Sequence, residues 1–431
     1  MIDKRDDNTV PADNKNDPNN TPLAAPVNPH WRKNAALFLG SQAITMLGSS
    51  LVQYAIMWYI ILDTTSGVMM ALYVMVGFFP HVFIAPLAGV LADRFNRKKI
   101  IVIADLSIAA ITLALALIFL NGYKPYWLLL LAALLRSIGS GIQTPAVSAI
   151  LPQLVPEDKL MRIGGINSSL QSLIFILSPA CGGLVLTASN IVTAFFVDII
   201  TAVIGVGVLL TIAVPPTAKA LTKVKGGYCR DLQEGWKYVW RHDYIKGLIL
   251  FYALFCIFIS PISFLSPIFI ARNFGSDVIY LTIQEVVFSS GSVLGGLVLS
   301  SLGNFKNKGV AIGLSTLTFS VLCMLLGFSP YLVVFYAITA VIGFIMPWCN
   351  TSVVVILQER VDPNILGRVF SLVSLVGAAT APLGMLIFGP LADIVNIVWI
   401  FLGSGLCMFI VGLWFLRKRR IYEPSAYNNN N

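Results

Sequence analysis

Charged and titratable side chains are scarce in this sequence. Only 11% of its 431 residues are Asp, Glu, Lys or Arg, and only three are His, whereas a soluble domain carries about 25% charged residues. Hydrophobic residues make up 57% of the chain, and the mean hydropathy is +0.82. A soluble core cannot bury this much apolar sequence, so the composition excludes a soluble globular protein and predicts an integral membrane protein.

Motifs for ATP hydrolysis, metal binding and covalent catalysis are also missing. The sequence contains no G-x-x-x-x-G-K-[ST] and no H-E-x-x-H pattern, and its six Cys form no C-x-x-C pair. A membrane-embedded enzyme is the alternative class, but it requires a nucleophile with a base or a metal cluster, and neither is found. We therefore expect no enzyme activity, no cofactor and no metal site.

Long apolar runs dominate what is present. A membrane core of roughly 30 Å is crossed by a helix of about 20 apolar residues, and hydropathy gives twelve such runs. Because the runs are continuous and do not alternate with polar residues, they favour an all-α integral membrane fold. The predicted spans are 34–62, 67–92, 99–120, 126–150, 163–188, 190–213, 246–270, 278–301, 308–328, 331–357, 366–391 and 396–416.

Basic residues are concentrated on one side of these spans. If both termini are cytoplasmic, 26 of the 29 Lys and Arg lie in cytoplasmic segments, which is the bias that orients membrane proteins. This placement explains the net charge of +9 without nucleic-acid binding. We predict a multi-pass protein of the cell membrane with both termini in the cytoplasm and with membrane lipids as neighbours.

A polar interruption near the middle divides the chain into two similar halves. The stretch Val155–Arg162 (VPEDKLMR) recurs as Val361–Arg368 (VDPNILGR), and each joins the fourth span of its half to the fifth. Two pseudo-symmetric six-helix bundles explain this pattern, although chance similarity is an alternative. A receptor or scaffold would need no such duplication. The predicted organisation is a disordered cytoplasmic tail at 1–33, a first bundle at 34–213, a cytoplasmic linker at 214–245, a second bundle at 246–416 and a cytoplasmic tail at 417–431.

The linker contains an amphipathic segment. Within DLQEGWKYVWRHD, helical spacing places Leu232, Trp236, Val239 and Trp240 on one face. This spacing predicts a helix that lies on the inner leaflet with that face toward lipid.

Polar side chains follow one face of several spans. Gln42 and Gln53 lie on one stripe of the first span, Gln143 follows Arg136 in the fourth, and Gln171 lies in the fifth. The polar side chains of such stripes find hydrogen-bond partners either in the water of a shared cavity or on neighbouring helices. A charge at membrane depth costs at least roughly 2.5–3.5 kcal/mol, which favours the cavity for Arg136.

Acidic residues within the spans are candidates for proton binding, because a carboxylate in a low-dielectric cavity can exchange protons near neutral pH. Glu285 is the leading candidate, followed by Asp198, with Arg136 as the nearby cation. The alternative role for Glu285 is a structural partner of Arg136 or of hydroxyl groups across the cavity. Asp105 is expected to reach the interface or to pair with the arginines of the neighbouring loop.

The loop after the second span resembles the G-x-L-A-D-R-x-x-R-[RK] signature of the major facilitator superfamily of transporters. Gly89, Asp93, Arg94 and Arg97 occupy the matching positions. Asn96 stands where the family usually has glycine, and Asn tolerates the positive φ that this position often needs.

Two span motifs strengthen the resemblance. Arg136-x-x-Gly-x-Gly is similar to the fourth-helix signature of the superfamily. Ser178-Pro179-x-x-Gly182-Gly183 is similar to its fifth-helix antiporter signature, G-P-x-x-G-G, with Ser in place of the first glycine.

The resemblance implies a gate at the loop. Asp93 would accept N–H groups at the start of the eleventh span, near 366–368, and Arg97 would pair with Glu157 or Asp158. These contacts would form only when the cytoplasmic side is closed. The equivalent second-half segment, 296–306, lacks the acid and the arginines, so gate control should rest mainly on Asp93.

Further stretches resemble the macrolide-efflux branch of drug:proton antiporters: Gln143-Thr-Pro-Ala, Leu154-Val-Pro-Glu-Asp-Lys-Leu, Ser168-Ser-Leu-Gln-Ser and Leu366-Gly-Arg-Val-Phe-Ser-Leu. This resemblance implies the twelve-helix major facilitator fold and export of a small hydrophobic or amphipathic drug by proton antiport and alternating access. Related branches export siderophores, lipids or other metabolites, and a proton-coupled uptake permease is a further alternative. A monomer is expected, and an ATP-binding-cassette partner is left open. The residues assigned to the substrate cavity are Gln42, Gln53, Tyr54, Trp58, Gln143, Gln171 and Tyr252.

Overall fold

The chain folds into α-helices that cross the membrane in two groups. A computed structural model describes residues 30–214, 228–302, 307–363 and 365–418, without the side chains of 85, 86, 90, 93, 94, 228–232, 302 and 381. These residues form thirteen helices, of which twelve are long and apolar enough to cross a membrane. Of the tails predicted at 1–33 and 417–431 and the linker at 214–245, residues 1–29, 419–431 and 215–227 lie outside the described residues, whereas 31–33 and 417 are helical.

The helices follow the apolar runs of the sequence closely. They are α1 (Trp31–Thr64), α2 (Gly67–Arg94), α3 (Arg97–Leu120), α4 (Tyr126–Leu154), α5 (Glu157–Ala188), α6 (Ile191–Thr211), α7 (Tyr228–Arg241), α8 (Asp243–Asn273), α9 (Val278–Leu302), α10 (Lys308–Gly327), α11 (Leu332–Arg360), α12 (Leu366–Ile394) and α13 (Ile397–Arg417).

Polar capping residues fix where several helices begin. The side chains of Ser66, Asn96, Asn190, Asn307 and Asn396 each accept a hydrogen bond from a backbone N–H in the first turn of the following helix. Asn96 does so at a φ of −66°, so the positive φ expected there is wrong. Its side chain satisfies an N–H group of α3 instead.

The two halves have the same internal packing. In the first half, α1 packs on α5 and α6, α2 on α4, and α3 on α4 and α6. The second half repeats these contacts with each helix number raised by seven. There α8 packs on α12 and α13, α9 on α11, and α10 on α11 and α13. The fold is therefore the twelve-helix, two-bundle fold expected, and the halves meet mainly where α2 packs on α12 and α5 packs on α9.

The halves touch at one end of the membrane and separate at the other. The basic face is the end where α2 stops and α3 begins with Arg97, and the other end is termed the opposite face. At the opposite face a methyl group added to Gly67 of α2 would lie 2.1 Å from the carbonyl oxygen of Gly389 of α12. At the basic face, methyl groups added to Gly89 and Gly367 of the same helices would meet no atom within 4 Å. The space between the halves therefore opens toward the basic face.

The short helix α7 rests on the beginning of α12. Glu234 lies 2.5 Å from Arg368, Val239 is buried, and the rings of Trp236 and Trp240 are about half exposed. The sequence predicted that these residues form one lipid-facing surface. In the structure Val239 packs against protein instead, and only the two tryptophans stay exposed on the outside of the bundle. Leu232 has no described side chain.

Candidate functional site

A polar chamber lies within the first half, toward the basic face. It has a volume of about 310 Å³ and is walled by α1 to α5. The four glutamines predicted to face the cavity all line this chamber: Gln42 and Gln53 on α1, Gln143 on α4 and Gln171 on α5. The polar stripes of these helices thus meet around one space.

An apolar chamber lies between the two halves. Its volume is about 360 Å³, and its walls come from α1, α2 and α5 on one side and from α8 to α11 on the other. Tyr54 and Glu285 are among the polar groups that line it, whereas Met57, Phe264 and Phe288 are typical of its walls. Both volumes fall within the roughly 300–1,000 Å³ usual for ligand sites.

The two chambers share part of their lining. Met46, Ser50, Gln53, Tyr73 and Gly77 contribute to both. Tyr73 donates its hydroxyl to the carbonyl oxygen of Gln53 at 2.6 Å, which fixes the ring at the junction. A ligand that spans the junction would meet amide side chains at one end and apolar walls at the other.

Arg136 is neutralised inside the first half. Its guanidinium lies 2.5 Å from the carboxylate of Asp198 and also donates to the Thr112 hydroxyl and the Ser49 carbonyl oxygen. Asp198 is 0% exposed and accepts further bonds from Thr112 at 2.9 Å and Ser49 at 3.1 Å. The alternative pairing of Arg136 with Glu285 is therefore wrong, and Asp198 lies behind the chamber wall.

Glu285 is left without a counter-charge. It lines the apolar chamber, and no described residue forms a hydrogen bond or ion pair with its carboxylate. Within the described ranges, no three His, Cys, Asp or Glu residues group closely enough to hold a metal ion.

Asp105 belongs to the polar chamber. It is 5% exposed, lines the chamber and accepts a hydrogen bond from the Gln143 amide at 2.6 Å. Its second oxygen is buried with no partner among the described residues. The expected pairing with loop arginines is replaced by this contact with Gln143.

Two residues assigned to the cavity lie elsewhere. Trp58 is 0% exposed and packs in the core with its ring 5.7 Å from that of Tyr54. Tyr252 lines neither chamber, and its ring packs beside Gly377 of α12. Trp58 is therefore a packing residue in this conformation, whereas the partly buried Tyr252 is not part of either of these two chambers.

The antiporter-motif helix, α5, contributes at the meeting of the halves. Ser178 lines the apolar chamber and donates to the Ile174 carbonyl at 2.7 Å, beside the helix-interior Pro179. A methyl group on Gly182 would lie 3.4 Å from the Leu51 carbonyl, and one on Gly183 would lie 1.8 Å from the Thr282 hydroxyl of α9. Glycine is therefore required at 183 for α5 to approach α9.

The gating loop is described only in part. The side chains of Asp93 and Arg94 lie outside the described residues. Arg97 donates to the carbonyl oxygens of Ala92 at 3.1 Å and Ala149 at 2.7 Å, so it ties the ends of α2 and α4 together. Asp158, one of the two acids predicted to pair with Arg97 when the cytoplasmic side is closed, lies 2.9 Å from Lys159 in this conformation.

A polar cluster around Asp393 at the opposite face was not predicted from the sequence. Asp393, at the end of α12, accepts hydrogen bonds from the backbone N–H groups of Gly67 at 2.7 Å and Val68 at 2.9 Å. Ser66 donates its hydroxyl to the same carboxylate at 2.7 Å, and Arg272 lies 2.7 Å away. The sequence does contain a signal for Asp393, because the segment Gly389-Pro-Leu-Ala-Asp393 repeats the pattern of Gly89-Val-Leu-Ala-Asp93.

The chain resembles known efflux proteins over nearly its whole length. Macrolide efflux protein A of Streptococcus pyogenes is 29% identical over 387 residues, which cover 89% of this chain and 96% of that protein. Macrolide efflux protein A of Enterococcus faecalis is 30% identical over 72% of this chain and 97% of that protein. The multidrug efflux pump Tap of Mycobacterium tuberculosis is 23% identical over 91% and 95% of the two chains.

Solved structures agree on the fold. The nucleoside transporter NupG superposes with a TM-score of 0.66 at 15% identity, covering 89% of this chain and 98% of that one. A bacterial homologue of the iron transporter ferroportin in an inward-facing state also gives a TM-score of 0.66, at 14% identity over 89% and 98% of the chains.

A family model described as transmembrane secretion effector matches residues 25–428. With two matching six-helix bundles, a chamber between them and relatives named as efflux proteins, the chain belongs to this family of major facilitator transporters and is an efflux transporter of the macrolide-efflux type.

Proposed function

We propose that this transporter exports an amphipathic, macrolide-like drug in exchange for protons. The observation that carries the proposal is the pair of joined chambers, one polar and one apolar, open toward the basic face. The names of the relatives support the drug class. In this proposal the basic face is cytoplasmic, both termini are cytoplasmic, and a single chain in the cell membrane is the working unit.

The chambers suit a substrate with two chemically different ends. Apolar walls such as Phe264 and Phe288 would receive a hydrophobic ring system. Gln42, Gln143 and Gln171 would hydrogen-bond its polar substituents, and Gln53, at the junction, would contact both parts.

Glu285 is the group proposed to carry the proton. Its carboxylate has no cation among the described residues and faces the space that the drug would fill. Protonation would remove a charge from the apolar chamber, and deprotonation would restore it. Because a ligand shifts a conformational equilibrium only by binding one state better than the other, this change of charge would couple proton binding to drug release. Arg136, already paired with Asp198, would hold the chamber wall in shape.

The test is macrolide transport by membrane vesicles containing the full chain. Drug movement out of the cytoplasmic compartment should require a proton gradient and should stop when an uncoupler collapses it. Glu285→Gln should abolish gradient-driven transport while retaining macrolide binding, and Asp243→Asn, which removes an exposed carboxylate at the start of α8, should transport normally. Gradient-independent export would overturn proton coupling, inward transport would establish the uptake permease, and normal transport by Glu285→Gln would overturn the site.

A further inference from the structure

Two residues that line the polar chamber each have a buried polar atom with no hydrogen-bond partner among the described residues. One atom is the second carboxylate oxygen, Oδ2, of Asp105 on α3, and the other is the amide nitrogen, Nε2, of Gln42 on α1. Buried polar groups of folded proteins are nearly always hydrogen-bonded, so such exceptions indicate a group that comes from outside the chain. The chamber offers that group one acceptor and one donor.

Among the described residues of the chamber wall, only Asp105 carries a charge that is not neutralised. The other charged residue of the wall is Arg136, which already has its ion pair within the first half. Of the three cations that begin α3, Arg97 and Lys98 donate to backbone carbonyl oxygens of α2, α4 and the end of α6, and Lys99 is exposed. A buried carboxylate without a counter-charge is costly, so the site favours a ligand that brings a positive charge.

The carboxylate of Asp105 is held in position by the packing of α3 on α4. Asp105, Ile108 and Thr112 follow one face of α3. Gly139 of α4 permits the close approach, because a methyl group there would lie 2.7 Å from the Ile108 side chain. The Gln143 amide then donates to Oδ1 of Asp105 at 2.6 Å, which leaves Oδ2 for a ligand.

An organic ammonium group fits this arrangement. Its N–H donates a charge-assisted hydrogen bond to a carboxylate, and its charge would neutralise Asp105. A metal ion would need several more oxygen or nitrogen ligands, and the described residues contain no cluster of His, Cys, Asp and Glu that could supply them. Glu285 differs because its chamber has mainly apolar walls, where an ammonium group would lose its hydration without replacement, so a proton remains its proposed ligand.

We infer that the polar chamber is a subsite for an amine next to a hydroxyl or ether oxygen, as in an amino sugar. Asp105 binds the protonated amine and determines specificity, and Gln42 donates to the neighbouring oxygen. The chamber volume of about 310 Å³ lies at the lower end of the range for ligand sites, so one sugar ring within it would lie near both α1 and α3. The rest of the drug would extend past Gln53 into the apolar chamber. This inference rests on the proposed function, because it places a drug in the chambers, but it does not require proton coupling.

The experiment compares two forms of one drug, binding to the purified full chain in detergent. One probe is a macrolide whose sugar carries a dimethylamino group. The other is the same macrolide with one N-methyl group replaced by acetyl, which is uncharged at neutral pH. The unaltered protein should bind the amine about 10- to 100-fold more tightly, as expected for a hydrogen bond between charged groups. Asp105→Asn keeps the size of the side chain and an acceptor for Gln143, and it should remove this preference by weakening the binding of the amine alone.

Asp277→Asn is the matched control. It removes an exposed carboxylate at the opposite face, which accepts a hydrogen bond from Ile279 of its own segment at 3.0 Å, and it should leave the preference unchanged. Gln42→Leu is a second variant of the subsite, and it tests the subsite if Asp105→Asn does not fold. It should weaken both probes by a similar factor, because both keep the sugar oxygens.

The outcomes separate the subsite from the proposed function. Equal affinity of the two probes for the unaltered protein, or a preference that Asp105→Asn leaves intact, would overturn the ammonium subsite while the drug class stands. Unchanged affinity of both probes for Gln42→Leu would overturn the role of Gln42. Absence of binding by either probe would overturn the proposed drug class and the subsite together.

Discussion

The guanidinium of Arg136 lies 2.5 Å from the carboxylate of Asp198, and Thr112 and Ser49 donate to the same carboxylate. These four residues come from α4, α6, α3 and α1. The cluster therefore joins four helices of the first half through one ion pair. Arg136 lines the polar chamber, so water reaches the pair only on the Arg136 side.

Breaking this pair should destabilise the protein strongly. Arg136→Leu or Asp198→Asn leaves a buried charge without its partner, which costs about 3–5 kcal/mol. The double substitution Arg136→Leu with Asp198→Asn should be less harmful than either single change, because no charge remains. Thermal unfolding of purified protein in detergent measures all three, and additive losses would contradict the interpretation.

Trp58 and Gln53 should behave differently although both lie on α1. Trp58→Ala removes a fully buried ring and should lower the free energy of unfolding by about 3–5 kcal/mol. Gln53→Ala should leave stability nearly unchanged and weaken substrate binding, since Gln53 lines both chambers. Thermal unfolding and drug binding, measured on the same preparations, separate the two effects. A Trp58→Ala variant that is stable but has altered drug selectivity would show that Trp58 contacts the substrate after all.

Gly183 should be essential for closing the opposite face. In Gly183→Ala the new methyl group would lie 1.8 Å from the Thr282 hydroxyl, so α5 and α9 would be forced apart and export should fall. Thr282→Gly in the same chain should restore export by making room. Gly164→Ala, on the same helix where no atom lies within 4 Å, is the control and should transport normally. Failure of the Thr282→Gly rescue would argue against this contact.

The packing of α7 on α12 should depend more on shape than on charge. The Glu234–Arg368 pair is about one-third exposed on each side, and such pairs contribute only about 0–1 kcal/mol. A methyl group on Gly235 would lie 3.1 Å from the Arg368 carbonyl oxygen, and a larger side chain would have to displace α7. Hydrogen exchange of α7 should therefore rise in Gly235→Leu and change little in Glu234→Gln; the reverse order would show that the ion pair holds the helix.

Much of the architecture could be predicted because it depends on local sequence. Apolar run length sets the spans, and the run 246–270 predicts α8 (Asp243–Asn273) to within three residues at each end. The glutamine stripes of α1, α4 and α5 also predicted which faces meet, since helical spacing places such residues on one side.

The pairing of distant residues could not be predicted in the same way. Arg136 and Asp198 are 62 residues apart, and their contact depends on how α4 and α6 are rotated in the bundle. Tyr54 and Trp58 share a stripe at i, i+4, but only packing decides that the chamber reaches the first and not the second. Asp393 could not be predicted for another reason: clustered arginines and lysines mark a gating loop in the sequence, and Asp393 lies at the end of the bundle where such charges are sparse.

The cluster around Asp393 also has a pharmacological consequence. In the orientation proposed above, with the basic face in the cytoplasm, the partly exposed Ser66, Arg272 and Asp393 would face the outside of the cell. A molecule that binds across Thr65 and Asp393 would hold the pump in one state without crossing the membrane. Such an inhibitor would never enter the chambers, so the pump could not expel it.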